Sequence, residues 1–486
     1  MRRWMFLTLW VVATFTIVWL LTAYSWSASH RMPTSTDIAL YFVALPSALL
    51  SIFWLLSKAW EFAINSAKAK SEHGADSPLN AKSENMDITA ERERGLSIAI
   101  LASAIRTVHG NSADDLSAVL KANDATLNLD SELKNQEGFP ILTGRIDAVD
   151  EDAQRDTLLN WLTVTGRAEV SWTSEQLRAI AIGGEVVTEL AQDVVSHPLL
   201  EAFDNAQLDP KNTENLPMLQ LIILMPESWD NGIRSLVCDW FSHLIQEKGW
   251  PLKKIALVPQ TKYSYTQGVT AIDRLMVDTF RQSQQCYGVL IACESHIGTA
   301  SVENWESKGQ LFTGKNEMSF LPGEGAAGLL LADEQQVKSN DAFQASKLHR
   351  VVQEIMSKSA DDAGKANHDL LAEMTETALQ LSGVKAEQIT LVTSDTDHRA
   401  NRIRELLNVG YQIFPDLDFN EQCFKVVNSC GMLGSVASVA ALALAHHEVI
   451  SNSGFVVSIS NLDSHARAVS VVSPWSNTLA TESLNT

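Results

Sequence analysis

Residues 320–333, "FLPGEGAAGLLLAD", carry the glycine spacing GxGxxG at Gly323, Gly325 and Gly328. The same spacing occurs where a strand leads into a helix whose N-terminus holds a dinucleotide pyrophosphate. Here the order is reversed, because the glycines lead into the apolar run Leu329–Leu331, which soon stops. The stretch therefore predicts a strand entered from a tight turn, and it argues against a nucleotide site.

Two uncharged segments near the N-terminus have the length of membrane-spanning helices. No charged residue lies between Arg3 and Arg31, or between Asp37 and Lys58. About 20 apolar residues suffice for a helix to cross a bilayer. A cleaved signal peptide is the alternative for the first segment, but its apolar part is too long for one. We predict a transmembrane hairpin over residues 1–62, with helices at about 4–24 and 38–57.

The positive charges around these segments predict their orientation. Arg2 and Arg3 precede the first segment, three lysines follow the second, and Arg31 alone lies in the connecting loop. Lysine and arginine accumulate on the cytoplasmic side of membrane helices. Both termini and the soluble domain are therefore expected in the cytoplasm.

Composition excludes several classes of function. The formal net charge is −21, which opposes nucleic-acid binding. Residues that are hydrophobic make up 45% of the chain, enough for a large core. The five cysteines are odd in number and contain no CxxC pair, so neither a disulfide framework nor a zinc site is indicated.

After a polar linker at 63–94, apolar runs of strand length alternate with amphipathic stretches of helical length. This alternation is typical of an α/β domain with mixed, buried sheets. The predicted strands are "LSIAILA" (96–102), "LQLIILM" (219–225), "KIALVP" (254–259), "GVLIAC" (288–293), "AGLLLA" (327–332), "ITLVT" (389–393), "FVVSIS" (455–460) and "AVSVV" (468–472). The predicted helices include 234–249, 270–285, 368–383 and 433–448.

The helix within "GMLGSVASVAALALAHH" (431–447) is small or apolar on every face for most of its length. Such a helix has no side suited to water and belongs inside a protein. It is too short to span a membrane. A helix buried between two sheets is therefore predicted.

In order and spacing, residues 95–475 resemble a β-ketoacyl synthase of the thiolase-like fold. The segments that carry the resemblance are "GNSADDL" (110–116), "YGVLIACESHIGTAS" (287–301), "LPGEGAAGLLLAD" (321–333), "NSCGMLGSVASVAALALA" (428–445) and "VVSISNLDSHARAVSVVSP" (456–474). The resemblance implies a duplicated layered sheet/helix fold, with a possible homodimer. Its halves would cover 95–335 and 336–475, followed by a disordered tail at 476–486.

Catalysis in that family needs a cysteine nucleophile at a strand-to-helix elbow, two histidines and a glycine-rich loop. The matching elbow lies within Tyr265 to Gly268, where no cysteine occurs. The two histidine positions fall at Asp395 and Met432, and the loop reads "SISNLDSHARA". Without a thiolate or an oxyanion site the condensation has no mechanism. The resemblance therefore implies a non-catalytic protein without a cofactor.

A membrane-tethered, inactive ketosynthase-like bacterial protein resembles the type VI secretion lipase adaptor family. That resemblance implies a protein at the bacterial inner membrane which holds a toxin lipase effector. The protein would then hand the lipase to the secretion spike.

Other interpretations stay open. An acyl-thioester enzyme could use a displaced nucleophile such as Cys293 or Cys430, and an acyl-chain or lipid sensor could keep the pocket without the chemistry. For both cysteines, burial in the core is the simpler interpretation. Asp397 and His398 are candidates for a retained polar pocket. Trp229, in a turn-like segment, is a candidate for an exposed contact with a partner.

Three histidines, His446, His447 and His465, raise the question of a metal. Adjacent histidines on a helix diverge by about 100° and do not chelate one ion together. We instead expect a polar helix end where cationic histidine meets the C-terminal dipole. No metal site is predicted.

Overall fold

A computed structural model describes residues 92–200, 215–260, 263–339, 343–362 and 369–475, together with residues 19 and 22. The chain separates into two units, Met1–Ile88 and Thr89–Thr486. No helix in the described ranges is long and apolar enough to cross a bilayer. Apart from residues 19, 22 and 92–94, the predicted hairpin, linker and C-terminal tail lie outside the described residues.

The second unit contains thirteen strands in the described ranges. They are β1 (Ser97–Arg106), β2 (Asn128–Lys134), β3 (Pro140–Thr143), β4 (Leu219–Leu224), β5 (Ile255–Leu257), β6 (Tyr287–Ser295), β7 (Glu324–Ala332), β8 (Ser346–His349), β9 (Val352–Ile355), β10 (Ile389–Ser394), β11 (Cys423–Lys425), β12 (Phe455–Ser460) and β13 (Ala466–Pro474). Each of the eight predicted strands overlaps one of these, so those predictions are confirmed.

Helices alternate with the strands along the chain. They are α1 (Ala113–Lys121), α2 (Glu151–Val164), α3 (Ser174–Val195), α4 (Asn231–Glu247), α5 (Gln267–Gln282), α6 (Thr299–Ser307), α7 (Glu334–Ser339), α8 (Leu370–Ser382), α9 (Ala400–Ile413), α10 (Val426–Cys430) and α11 (Val436–Asn452). Short 3₁₀ turns cover Leu252–Lys254 and Ala386–Gln388. The four predicted helices correspond to α4, α5, α8 and α11 and are confirmed.

The main sheet has the strand order β11-β10-β12-β13-β8-β1-β7-β6-β4-β5, and β9 pairs with β13 off this path. Pairing is parallel near both ends, between β4 and its neighbours β5 and β6 and between β10 and its neighbours β11 and β12. Through the middle it is antiparallel. The sheet is therefore mixed, as predicted, and β2 and β3 form a separate pair.

Three apolar cores lie on the two faces of this sheet. Along β6, Leu290 and Ala292 enter a central core, while Val289 and Ile291 enter an outer core. Side chains on a strand alternate between faces, so one strand can serve two cores. The central core contains α11, the outer core contains α3 and α4, and the third core packs α8 on β12 and β13. The central helix α11 contacts strands from both halves of the main sheet, including β7 and β12. The layers are therefore outer helices, one half of the sheet, α11, the other half of the sheet, and outer helices.

The central helix α11 is buried along most of its length. Leu442, Ala443 and Leu444 have no exposed surface, and the helix contacts strands from both ends of the sheet, including β7 and β12. This confirms the predicted buried helix. A small or apolar side chain on every face allows it to pack on both sides.

The strand predicted in residues 320–333 is confirmed, but the tight turn before it is not, because Phe320, Pro322 and Gly323 form isolated β-bridges to Leu311, Met432 and Gly144. β7 begins at Glu324 and pairs with β1 on one side and β6 on the other. A Cβ on Gly323 would lie 2.5 Å from the carbonyl oxygen of Cys430, so this position needs glycine for close backbone approach. The glycines therefore serve chain packing.

Candidate functional site

The predicted elbow lies where the chain passes from β5 into α5. The Tyr265 carbonyl accepts a hydrogen bond of 2.8 Å from the Ser438 hydroxyl on α11. A Cβ on Gly268 would lie 2.5 Å from Cγ2 of Val439, so α5 packs closely on the central helix. Burial raises the pKa of the Tyr265 hydroxyl, which disfavours its ionised form. The elbow therefore presents a neutral phenol.

Asp395 follows β10 and is fully buried. Its carboxylate accepts hydrogen bonds from the backbone N–H of Asn461 at 2.8 Å and of Leu462 at 3.0 Å, and from the Ser460 hydroxyl. It thereby fixes the loop that follows β12. The same loop contacts the elbow, because the Ser264 hydroxyl donates to Asp463 at 2.9 Å.

The pKa of Asp395 is raised from 3.8 to about 6 by burial, against the lowering effect of its three hydrogen bonds. The folded state therefore holds the proton more tightly than the unfolded chain does. Its contribution to stability is fully present below pH 4 and is lost as the pH rises through 6, by about 3 kcal/mol. We expect the Asp395→Asn variant to lack this pH-dependent change.

Denaturant unfolding at several pH values between 4 and 7.5 measures this effect as the difference between wild type and variant. Other carboxylates titrate equally in both proteins and cancel. Equal slopes in the two proteins would show that Asp395 is ionised throughout this range.

Met432 lies between α10 and α11 and is buried in the central core. Its backbone N–H donates to the Leu321 carbonyl at 2.7 Å, which joins it to the segment before β7. A thioether has no proton to donate and cannot hold an oxyanion as imidazole does.

Glu294 at the end of β6 connects these elements and was not predicted as a site residue. Its carboxylate accepts from the Tyr263 hydroxyl at 2.9 Å and from the Ser435 N–H at 3.1 Å. His296 Nε2 lies 3.3 Å from Oε1 of the same carboxylate, out of line for a hydrogen bond. A Cβ on Gly434 would overlap this carboxylate. A charged residue in a buried, otherwise uncharged strand was the available signal.

The predicted pocket residues Asp397 and His398 point to different partners. Asp397 is buried and pairs with Arg399, whose Nε lies 2.6 Å from Oδ2. The Arg399 guanidinium also lies 5.1 Å from the centre of the Phe320 ring. His398 Nε2 instead lies 3.0 Å from the Glu317 carbonyl. Ion pairing and aromatic packing thus engage Asp397 and Arg399, and the retained polar pocket stays a prediction.

The candidate nucleophiles Cys293 and Cys430 are both fully buried. Burial raises the pKa of the Cys293 thiol, and it raises that of Cys430 to about 12. Cys293 faces the outer core beside Gly183, whereas its neighbour Glu294 faces α11, as alternation along a strand predicts. The half-buried Cys238 has a pKa raised to about 11, chiefly by burial. These environments oppose thiolate formation.

Two predictions about exposure were wrong. Trp229 is 7% exposed and belongs to the outer core, because the turn before α4 folds its indole onto that layer. His446 is also buried, burial lowers its pKa to about 4, and its Nδ1 lies 2.8 Å from the Ser346 hydroxyl. It is therefore a neutral core histidine. The described residues contain no group of three or more histidine, cysteine or acidic side chains placed to hold a metal ion.

No family model matches the chain, and no curated protein matches it. Several solved structures match the fold of this chain. A ketosynthase from module 6 of the bacillaene synthase of Bacillus subtilis 168 superposes with a TM-score of 0.53 at 11% identity, covering 78% of this chain and 72% of that one.

Two further structures agree. A type II polyketide ketosynthase, in complex with its acyl-carrier protein and bound to a hexaketide, gives a TM-score of 0.53 at 9% identity. The ishigamide ketosynthase/chain length factor gives 0.51 at 15% identity. Each covers 78% of this chain and is itself covered completely. The chain has the β-ketoacyl synthase, or thiolase-like, fold. At these identities the likeness concerns the fold alone.

Proposed function

We propose that this ketosynthase-fold protein binds a protein partner and does not condense acyl thioesters. The observation that supports the proposal is the surroundings of the three residues that the resemblance matches to the catalytic positions, Tyr265, Asp395 and Met432. The backbone of Tyr265 is bonded to Ser438, the Asp395 carboxylate holds a loop, and Met432 lies in the central core.

The energetic argument concerns the loss of the whole catalytic set. When several catalytic residues act together, removing any one of them abolishes most of the catalytic rate. A half-buried phenol, a buried carboxyl that holds a loop and a thioether supply neither a thiolate nor imidazole donors. A protein with this fold and without these groups would act on other molecules by binding them at its surface.

The structural neighbours support a second candidate, retained handling of an acyl chain or acyl carrier. They are ketosynthases, and one is described with a carrier protein and a hexaketide. A cavity of about 330 Å³ adjoins the elbow and is lined by Tyr263, Gln267 and Cys238. An enzyme using Cys238, Cys293 or Cys430 would need a thiolate that their environments disfavour.

The specific form that we propose is an adaptor of type VI secretion. In this form the protein is anchored in the bacterial inner membrane by residues 1–62, with its soluble domain in the cytoplasm. It binds a lipase effector and hands it to the spike protein, and a homodimer is a further proposal. This form rests on the family resemblance and on the predicted hairpin.

Affinity capture of the full chain from detergent-solubilised membranes tests the proposal. We expect a lipase and a spike protein encoded beside its gene to be recovered, and expect the tagged lipase to recover this chain reciprocally. Recovery of an acyl-carrier protein without lipase or spike would favour the second candidate and contradict the first.

A further inference from the structure

A groove of about 720 Å³ lies on the outer layer between α2 and α3. We call it the α2–α3 groove. Its walls carry small side chains, Ala153 and Thr157 on α2 and Ala181 and Gly184 on α3. From Leu158 onward α2 enters the outer core, so the gap is confined to its first two turns. These small side chains leave room between the two helices beside the longer Gln154 and Glu185, which also line the space.

Two side chains that line the groove have unpartnered donors. The Trp240 Nε1–H and the Gln154 Nε2 amide are buried and lack a hydrogen-bond partner among the described residues. Trp240 is 7% exposed. Thr157 and Thr188 on the walls donate to carbonyls of their own helices, at 2.8 and 2.7 Å. The lining thus holds two unused donors, and a ligand that presents acceptors complements a donor that turns into the groove.

Carboxylates dominate the rim of the groove. Glu185 and Glu189, one turn apart on α3, have side chains that are 61% and 41% exposed. Arg106 pairs with both, at 2.9 and 2.8 Å. One guanidinium cannot neutralise two carboxylates, and Asp150 adds a third acidic side chain to the lining. The rim consequently attracts cations and repels acidic groups.

We propose that the α2–α3 groove binds a lysine- or arginine-rich segment of a protein partner. A backbone carbonyl of such a segment accepts from the Gln154 amide, while its cationic side chains reach the rim carboxylates. Gln154 is half-buried, so rotation of its side chain brings the amide into the groove. A bare cation offers no acceptors, and an acidic segment is repelled. The inference rests on the proposed binding function and assigns a surface to it.

The test uses a fluorescein-labelled Lys-Ala-Lys-Ala-Lys-Ala peptide and its glutamate counterpart, with fluorescence anisotropy on the full chain in detergent. We expect the lysine peptide to bind and the glutamate peptide to fail. Gln154→Leu, which removes the donor at similar volume, and the double variant E185Q/E189Q should each weaken binding by about fivefold or more. A zero-length carbodiimide cross-link to the peptide lysines should map to Glu185 or Glu189.

The matched control is E373Q/E376Q, which removes the same charge from exposed positions on α8. Absence of peptide binding, equal weakening by the control, or cross-links spread over other acidic residues would overturn the proposal. Partner capture separates the two proposals. If E185Q/E189Q still captures the wild-type partners, the groove assignment is wrong and the binding function stands. If the peptide binds in the groove but no partner is captured, the groove assignment stands and the proposed binding function is wrong.

Discussion

Replacing Arg178 with methionine is expected to lower the free energy of unfolding by about 3–5 kcal/mol. Arg178 on α3 is 3% exposed and forms a two-pronged pair with Glu324, at 2.8 Å from Nε and 2.6 Å from Nη2. Glu324 is completely buried at the start of β7. Without the guanidinium its carboxylate would keep only neutral donors, the Ile146 N–H and the Ser295 hydroxyl. Denaturant unfolding measures the loss.

Two variants control this prediction. R178M/E324Q removes both charges while the amide oxygen still accepts from the Ile146 N–H, so we expect most of the lost stability to return. Arg281→Met breaks the pair with Glu93, which lies at the surface, and should leave stability nearly unchanged. A small loss in R178M, similar to that in R281M, would mean that water reaches the Arg178–Glu324 pair.

Shortening one buried side chain of the central helix α11 is expected to have the second large effect. Leu442 in α11 has no exposed surface and lies in the core between the two sheet layers. Leu442→Ala removes buried apolar atoms and leaves a cavity that surrounding β-strands cannot close, which costs about 2–5 kcal/mol. The free energy of unfolding from denaturant titration measures this cost.

The same substitution at Leu407 provides the control. Leu407 is on α9, also within a helix, but is 40% exposed. Because helix propensity changes equally at both positions, the difference between L442A and L407A reports burial. Equal losses in the two variants would place α11 near solvent and contradict the layered arrangement.

Short-range pattern predicted much of the fold. Eight short apolar runs were predicted to be strands and form strands, because an apolar run of this length is typical of a buried strand. The long helix α3 was missed since Gly183 and Gly184 lie at its centre and resemble a break. Tertiary packing explains them: a Cβ on Gly183 would lie 2.8 Å from Cζ of Phe241. Only the neighbouring helix α4 shows why glycine is needed there.

The positions of the candidate site were proposed from the sequence, but its contacts could not be. The spacing from recognisable strands and helices predicts Tyr265, Asp395 and Met432 as site positions, and this stays a prediction. The sequence could not show that Glu294 accepts from Ser435, a partner 141 residues away. Nor could it show that Asp395 holds the loop at Asn461, 66 residues away. Such pairs depend on how the layers stack, which local periodicity does not encode.

The hydrogen bonds of the candidate site also explain why its polar side chains can be buried. Glu294, Asp395 and Asp397 each accept hydrogen bonds from backbone or side-chain donors. A buried carboxylate with such donors is far less costly than an unpaired one. Because these carboxylates are already hydrogen-bonded, their arrangement agrees with a structural role.

The most direct test of the central claim is intact-protein mass spectrometry after treatment with chloroacetamide, and separately with an acyl thioester. We predict that the folded chain gains neither one stoichiometric alkyl group nor an acyl group, because four of its five cysteines are buried and the pKa of the half-buried fifth, Cys238, is raised to about 11. The chain unfolded in guanidinium should alkylate at all five cysteines. Rapid, stoichiometric acylation of one cysteine in the folded protein would contradict the account.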